Sequence, residues 1–224
     1  MIEIRNLQKS FGTGTARRTV IDRLDACFEP GKLNFVIGPS GCGKTTLIAL
    51  AGAMLSPDAG QIHIFGNDIT AMDQSALNVF RSREIGFMFQ QFHLFNTLSA
   101  LENVYTGLLP LGVSWGEARE RALPLLNELD MTDCADRRVG GLSSGQQQRI
   151  ALARALIKSP RILFCDEPTA SQDQESGCRI LRMIRKIAMT KDRVVVVISH
   201  DTRIFDMADC IFEMNFGKLR KKTL

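Results

Sequence analysis

The sequence predicts an α/β protein whose parallel sheet is buried between layers of helices. Two stretches, RILFC at residues 161–165 and RVVVVIS at 193–199, have the pattern of strands that are apolar on both faces. The helical pattern SGCRILRMIRKIAM lies between them, and strands that alternate with helices are typical of a parallel sheet. With 224 residues, of which 45% are hydrophobic, the chain is long enough to bury the core of one large domain.

The remaining elements follow from local patterns along the chain. MIEIRNL, TVIDRLDACF and KLNFVIG predict strands, and KTTLIALAGAML predicts a helix before the strand GQIHIFG. The middle of the chain is mainly helical, and Ser114 with Glu117 predicts a capping box at the start of EARERALPLLNELDM. Because Pro124 lies inside this pattern, we expect it to kink or split that helix.

The overall composition excludes several classes of protein. A formal net charge of +4 is a mild excess, so we expect no nucleic-acid partner, and we interpret the basic KLRKKTL segment as a solvated tail. No apolar run reaches the length of a bilayer, and MIEIRNLQKS lacks the apolar region of a signal peptide. The six cysteines are scattered, which fits a reducing cytosol. We therefore expect a cytoplasmic chain that reaches a membrane only through a partner.

A glycine-rich loop is the strongest local signal. GPSGCGKTT at residues 38–46 fits G-x-x-x-x-G-K-[ST] and lies between a predicted strand and a predicted helix. Its glycines let successive backbone N–H groups face an anion, and the helix N-terminus adds partial positive charge. Lys44 is expected to reach the β and γ phosphates of ATP, and the hydroxyl of Thr45 is expected to bind Mg²⁺. A chance glycine-rich turn, the alternative, does not account for the strand and the helix on either side.

Polar residues end three of the predicted strands. Asp166 and Glu167 follow RILFC, at the edge where parallel sheets bind ligands. We expect Asp166 to hold Mg²⁺ and Glu167 to deprotonate the attacking water, although an acidic strand end that caps the next helix is an alternative. Gln90 closes IGFMFQ and His200 closes VVVVISH, where a γ-phosphate contact is expected. A histidine in such a position is more often structural.

The segment LSSGQQQR predicts a second anion-binding helix terminus. Ser143, Ser144 and Gly145 precede a helix over about residues 146–157, and small residues there expose backbone N–H groups and a hydroxyl. One nucleotide does not need both helix termini from the same molecule. In two copies related by a two-fold axis, the second helix terminus of each copy can contact the ATP bound by the other. The sequence therefore predicts a homodimer.

Taken in order, these motifs resemble those of the nucleotide-binding subunits of ABC transporters, and the resemblance covers nearly the whole chain. It implies a P-loop NTPase (RecA-like) core with a small antiparallel β subdomain and an α-helical subdomain. Residues 1–90 and 160–224 would form the nucleotide-binding core with the β subdomain, and residues 91–159 the helical subdomain. The 1–224 chain would then be a single ATPase domain that binds ATP and Mg²⁺.

The resemblance also assigns roles to single residues. Catalytic roles fall to Lys44, Gln90, Glu167 and His200, and Mg²⁺ ligation falls to Thr45, Gln90 and Asp166. ATP binding is expected at the Walker A loop, the signature, the D-loop and an aromatic residue, namely Gly38, Pro39, Ser40, Gly41, Cys42, Gly43, Lys44, Thr45, Thr46, Leu142, Ser143, Ser144, Gly145, Gln146, Asp173 and Phe11. Phe11 would stack on adenine, or be an ordinary core aromatic.

Within ABC proteins, IGFMFQQFHLFNTLSALENV and LSSGQQQRIALARAL are most similar to the lipoprotein-release, macrolide-efflux and FtsE-type group. The similarity implies that ATP-driven closure of the homodimer moves an integral-membrane permease subunit docked on the helical subdomain, at the cytoplasmic face of the inner membrane. Phe92, Leu94 and Phe95 are candidates for the docking groove, although core packing explains them equally well.

Two departures from the family pattern do not remove a catalytic group. Ser144 replaces a signature glycine, and Gln172 stands where the D-loop has leucine, so an active ATPase is still expected. Three alternatives stay open: a soluble ABC-type ATPase in a non-transport process, a small P-loop kinase, and a nucleotide-sensing scaffold without turnover. Soluble ABC-type ATPases usually carry long coiled coils or two cassettes in one chain, and this sequence shows neither pattern. A small P-loop kinase would not need a signature helix.

Overall fold

Two β-sheets of different kinds organise the chain in the computed structural model, which describes residues 1–169 and 174–222. The strands are β1 (Ile2–Phe11), β2 (Arg18–Phe28), β3 (Leu33–Ile37), β4 (Ala59–Ile64), β5 (Asn67–Asp68), β6 (Ile85–Met88), β7 (Ile162–Asp166), β8 (Val194–Ile198), β9 (Cys210–Asn215) and β10 (Lys218–Lys222). The smaller sheet is antiparallel, in the order β2-β1-β4-β5, and the larger has the order β10-β9-β3-β8-β7-β6.

The larger sheet is parallel except for its edge strand β10. Its central strands β3, β7 and β8 are buried along their whole length. Alternate residues of β7 and β8 face two different cores, with Leu163 and Val195 in one and Phe164 and Val196 in the other. A strand packed on both faces needs apolar residues at every position, which is why these segments lack alternation. The predicted α/β class is confirmed.

Helices lie on both sides of the larger sheet, packed in the two cores. They are α1 (Lys44–Ala51), α2 (Gln74–Glu84), α3 (Ala100–Tyr105), α4 (Trp115–Glu128), α5 (Ser144–Leu156) and α6 (Gln174–Met183), and a π-helical turn, Ile184–Ala188, continues α6. Residues from α3, α4, α5 and α6 pack in the first core, whereas α1 packs in the second with the antiparallel sheet. No helix in the described part of the chain is both long enough and apolar enough to cross a bilayer.

Two helices differ from their predicted extent. The structure ends α1 at Ala51, not at residue 55, because the backbone leaves the helical region after the C-cap Gly52, with a φ of 55° at Ala53. Ser114 caps α4, accepting a hydrogen bond from the Glu117 N–H at 3.3 Å. This is one half of the predicted capping box, since the Glu117 carboxylate pairs with Arg121 instead. The expected split at Pro124 is wrong, since α4 continues through it. The packing of the flanking buried residues offsets the lost backbone hydrogen bond.

The basic segment near residue 220 is a strand and not a solvated tail. β10 pairs antiparallel with β9 over its whole length. Its side chains remain largely exposed, and Lys221 lies 3.1 Å from the carboxylate of Glu29 while Lys218 lies 3.8 Å from that of Asp22. Lysines on an exposed edge strand disfavour pairing with another sheet, which gives this charge a structural role.

Candidate nucleotide-binding site

The loop at residues 38–46 leaves β3 at the carboxyl edge of the parallel sheet and enters α1. Gly38, Gly41 and Gly43 have positive φ angles of 149°, 75° and 111°. A Cβ on Gly38 would lie 2.2 Å from the Met214 carbonyl oxygen, so β9 packs directly against the loop. Gly43 precedes α1 and offers no side-chain cap, which leaves the first N–H groups of the helix directed at the space above the loop. That space suits an anion.

Lys44 folds back over this loop. Its side chain is buried, and Nζ donates hydrogen bonds to the carbonyl oxygens of Gly38 at 2.8 Å and Pro39 at 3.0 Å. Both acceptors are neutral, and Lys44 forms no ion pair among the described residues, although its charge interacts at longer range with Asp166. A bound phosphate would accept charge-assisted hydrogen bonds from this ammonium group.

Thr45 and Asp166 connect the loop to the end of β7. The Thr45 hydroxyl donates to Asp166 Oδ2 at 3.1 Å. Burial raises the pKa of Asp166 above its usual value, and the hydrogen bond from Thr45 opposes that rise. A cation at this carboxylate would offset the cost of its burial. The hydroxyl and the carboxylate together present the oxygen ligands that a hard divalent cation prefers.

Glu167 and His200 form a second pair, at the ends of the neighbouring strands β7 and β8. The distance between Glu167 Oε1 and His200 Nδ1 is 2.8 Å, and the backbone N–H of His200 donates a hydrogen bond to Glu167 Oε2 at 3.4 Å. Glu167 has a φ of 48° and donates its own N–H to the Ile198 carbonyl oxygen at 2.9 Å. A non-glycine residue held in the left-handed region at a strand end is typical of a functional site.

The signature segment forms a helix N-terminus, as predicted, but α5 begins at Ser144 instead of Gln146. Ser143 is the N-cap of a capping box: its Oγ accepts from the Gln146 N–H at 3.3 Å, and its own N–H donates to Gln146 Oε1 at 2.9 Å. The Gln146 amide also donates to Cys134 Sγ at 3.5 Å. The Ser143 hydroxyl therefore stabilises its own helix, while Ser144 is exposed.

We expect Ser143→Ala to lower the free energy of unfolding by about 1 kcal/mol, because the N–H of Gln146 loses its cap. Ser144→Ala is the matched control, since this exposed residue contributes no cap hydrogen bond, and it should change stability by less than about 0.5 kcal/mol. Urea denaturation followed by circular dichroism measures both. Equal stability of the two variants would contradict the capping role.

Comparison with known proteins identifies the family. The profile of the ABC transporter family matches residues 21–170. The chain belongs to the ABC transporter family. The lipoprotein-releasing system ATP-binding protein LolD of Syntrophotalea carbinolica (strain DSM 2380 / NBRC 103641 / GraBd1) is 36% identical to it over 219 residues, which cover 98% of this chain and 96% of that protein.

Other relatives of this ABC cassette are longer. An ABC transporter ATP-binding protein of Mycobacterium tuberculosis (strain ATCC 25618 / H37Rv) is 41% identical over 213 residues, 95% of this chain, and the chain spans 64% of that protein's length. Among solved structures, the dimeric cassette MJ0796 in a post-hydrolysis state bound to ADP and Pi matches with a TM-score of 0.91 at 31% identity, over 100% of this chain and 99% of that one. The resemblance to ABC ATPase subunits and the P-loop NTPase fold are thus confirmed, and membership of this family supports ATP binding.

Two predicted positions of the cassette differ from their expected surroundings. β6 ends at Met88, so Gln90 lies in the exposed turn beyond the strand instead of closing it. Phe11 ends β1 with 43% of its surface exposed, and Lys9 Nζ lies 5.7 Å from its ring centroid. The alternative of an ordinary core aromatic is therefore wrong for Phe11. Asp173 and Gln172 lie outside the described residues.

The candidates for a docking groove separate into two groups. Phe92 and Leu94 are half-buried and pack against the first core, whereas Phe95 is 55% exposed. Buried Asn103 fixes this segment, since its side chain accepts from the Phe95 N–H at 2.8 Å and donates to the Phe95 carbonyl oxygen at 3.1 Å. Core packing thus explains Phe92 and Leu94, and Phe95 alone of the three is largely free to contact a partner.

Gln148 is a residue that sequence reasoning missed. It lies on α5 just after the signature, is 3% exposed, and donates its side-chain amide to the Pro168 carbonyl oxygen, directly after Glu167. The signal was present, because Gln148 is a polar residue on the buried stripe that continues at positions 151, 152 and 155. This hydrogen bond connects α5 to the segment that follows β7.

Proposed function

We propose that this chain is the ATP-binding and ATP-hydrolysing subunit of an ABC transporter, which drives a separate integral-membrane subunit by ATP-dependent closure of a homodimer. The observation that carries the proposal is the pair of contacts at one sheet edge, Thr45 with Asp166 and Glu167 with His200. By the similarity to LolD, the subunit acts at the cytoplasmic face of the inner membrane, in export, lipoprotein release or mechanotransmission.

ATP binds through the loop at the end of β3 and through Phe11 at the end of β1. The N–H groups of the loop at 38–46 and the Lys44 ammonium contact the phosphates, and the exposed Phe11 ring stacks on adenine. Mg²⁺ fits this site, because a hydroxyl and a buried carboxylate form an oxygen pair and this ion retains water and phosphate ligands. Thr45, Asp166 and Gln90 would hold it, and it would neutralise charge on the phosphate oxygens.

Hydrolysis depends on the second pair. Glu167 is the general base, because its carboxylate lies at the strand end beside the loop and accepts a proton from the attacking water. With the carboxylate ionised, His200 donates through Nδ1 and so holds Glu167 in place. His200 is itself 60% exposed at its side chain, which leaves Nε2 open toward the γ-phosphate.

The other half of each ATP site comes from the second copy. We propose that the N-terminus of α5, with Leu142, Ser143, Ser144, Gly145 and Gln146, contacts the ATP held by the partner's loop, together with the D-loop residue Asp173. The exposed position of Ser144 at the first turn of α5 supports this arrangement. Residues 1–90 and 160–224 then act as the nucleotide-binding core, and residues 91–159 as the helical lobe on which the permease docks.

Co-purification with a membrane protein tests the transport role. We expect the tagged chain, recovered from detergent-solubilised membranes of its own organism, to retain an integral-membrane protein and to hydrolyse ATP to ADP and free phosphate. ATP hydrolysis without any retained membrane protein would favour a soluble ABC-type ATPase. Transfer of the γ-phosphate to an acceptor would favour a kinase, and ATP binding without turnover a nucleotide sensor.

A further inference from the structure

The segment that follows β7 lies between two helices. Pro168 and Thr169 come directly after Glu167. From α5, the side-chain amide of Gln148 donates a hydrogen bond to the Pro168 carbonyl oxygen. On α6, Gly177 packs against Thr169 so closely that a Cβ there would lie 3.2 Å from Thr169 Cγ2. The backbone beyond Glu167 therefore has little room to move without a change in these contacts.

Gln148 is a polar side chain in apolar surroundings. It is 3% exposed, and the neighbouring α5 residues Ile150, Ala151 and Leu152 are fully buried in the first core. An amide taken from water into such surroundings is unfavourable unless it forms hydrogen bonds. Packing by itself does not require an amide, because methionine would fill a similar volume. The partner of this amide, the Pro168 carbonyl oxygen, therefore points to its role.

Two other groups of the same segment do not replace this hydrogen bond. Proline has no backbone N–H, so Pro168 has no donor of its own. Thr169 is 2% exposed, and its hydroxyl has no hydrogen-bond partner among the residues that the structure describes. Loss of the Gln148 donor would thus leave the Pro168 carbonyl oxygen without the group that holds it.

A short and partly rigid path joins this carbonyl oxygen to Glu167. Four backbone torsions separate the Glu167 Cα from the Pro168 oxygen. The peptide bond is planar and the proline ring fixes φ, so two of the four torsions cannot adjust. Glu167 also has a φ of 48°, although a residue before proline prefers an extended backbone. Such a conformation persists only where the surrounding contacts hold it.

The position of the Glu167 carboxylate is critical for the proposed chemistry. Its side chain is 11% exposed and lies 2.8 Å from His200 Nδ1. A general base must lie within hydrogen-bond reach of the water whose proton it accepts. A displacement of about 1 Å can lower a rate about 100-fold. A contact that fixes the backbone next to Glu167 therefore affects the rate without touching the nucleotide.

We propose that Gln148 is a positioning residue for Glu167: its hydrogen bond to the Pro168 carbonyl oxygen holds the Glu167 carboxylate within reach of the attacking water. The inference rests on the proposed function, in which Glu167 is the general base, and it adds the residue on which the position of that base depends. Gln148 acts only through Glu167, so its loss affects hydrolysis and not the binding of ATP.

Gln148→Met tests this role, because methionine keeps the volume and removes the donor. In the full chain, we expect kcat for ATP hydrolysis to fall at least about tenfold. The affinity for a fluorescent ATP analogue should stay within about twofold of the wild type. Ile150→Val is the matched control, since it removes a buried methyl group from the same helix, and it should retain kcat. Phosphate release measures kcat, and thermal unfolding shows whether each variant folds.

A double-mutant cycle separates positioning from a general structural role. In the Glu167→Gln background, Gln148→Met should change the residual rate less than about twofold, because the base that it positions is already absent. A contact that only stabilised the fold would lower the rate by the same factor in both backgrounds. If Gln148→Met does not fold, Gln148→Asn replaces it in both measurements, since its amide is one methylene too short to reach the carbonyl oxygen.

The outcomes distinguish this inference from the proposed function. A wild-type kcat in the folded Gln148 variant, or an equal loss in both backgrounds, would overturn the positioning role and leave the proposed function intact. If Glu167→Gln itself hydrolysed ATP at the wild-type rate, the general base of the proposed function would be wrong, and this inference would fail with it.

Discussion

Glu167→Gln should lower the rate of ATP hydrolysis by about 10²- to 10⁴-fold, the range associated with a positioned general base. The amide has the shape of the carboxylate and still accepts a hydrogen bond from His200, so the geometry of the pair is retained. It has no basic site for the proton of the attacking water. Glu167 is not among the groups proposed to bind ATP or Mg²⁺, so this variant should still bind ATP and accumulate as an ATP-bound dimer.

Phosphate release measures the rate, and size-exclusion chromatography with light scattering measures the ATP-dependent dimer. Glu213→Gln is the matched control, because this exposed glutamate on β9 undergoes the same chemical change away from the strand end. It should hydrolyse ATP at the wild-type rate. If Glu167→Gln retained most of its activity, the general-base role would belong to another group. A slow enzyme that stayed monomeric with ATP would contradict the proposed dimer.

Lys44→Ala should weaken ATP binding by about 100-fold. A hydrogen bond to a charged group contributes about 1.5–3 kcal/mol, and a factor of ten in affinity corresponds to about 1.4 kcal/mol. Lys44 is buried over the loop with only two carbonyl oxygens as partners, so its charge is available to the phosphates. Alanine removes the charge and leaves the loop glycines in place.

Titration with a fluorescent ATP analogue measures this affinity. Lys32→Ala serves as the control, since Lys32 precedes β3 and its ammonium pairs with Glu29 at the surface. It should bind ATP as the wild type does. Thermal unfolding without nucleotide shows whether Lys44→Ala keeps the fold. A folded Lys44→Ala protein with unchanged affinity would exclude Lys44 from phosphate binding.

Local motifs made the nucleotide site predictable. Gly38, Gly43 and Lys44 lie within a few residues of one another. The positive φ angles of the two glycines are possible because these residues have no side chain. Asp166 and Glu167 were placed correctly because β7 is apolar on both faces and must end where polar residues begin. The helix start at the signature followed from the N-cap preference of serine.

Other features depended on contacts between distant segments. The basic segment that we expected to be a tail is the edge strand β10, because it pairs with β9. Amino-acid composition does not predict such pairing. Pro124 did not split α4, because the packing of the helix outweighed one missing hydrogen bond. The role of Gln148 became visible only when α5 was packed against the segment that follows β7.

The sequence by itself determined the fold class, the glycine-rich loop before α1, the acidic strand end and the membership of the ABC family, since each is carried by residues adjacent in the chain. Tertiary structure decided which polar groups meet, as in the contact of Glu167 with His200 across β7 and β8. It also decided that β10 is the edge of the larger sheet. The physical reason is that burial and pairing are properties of segments that the fold brings together, and residues distant in the chain do not show them in the sequence.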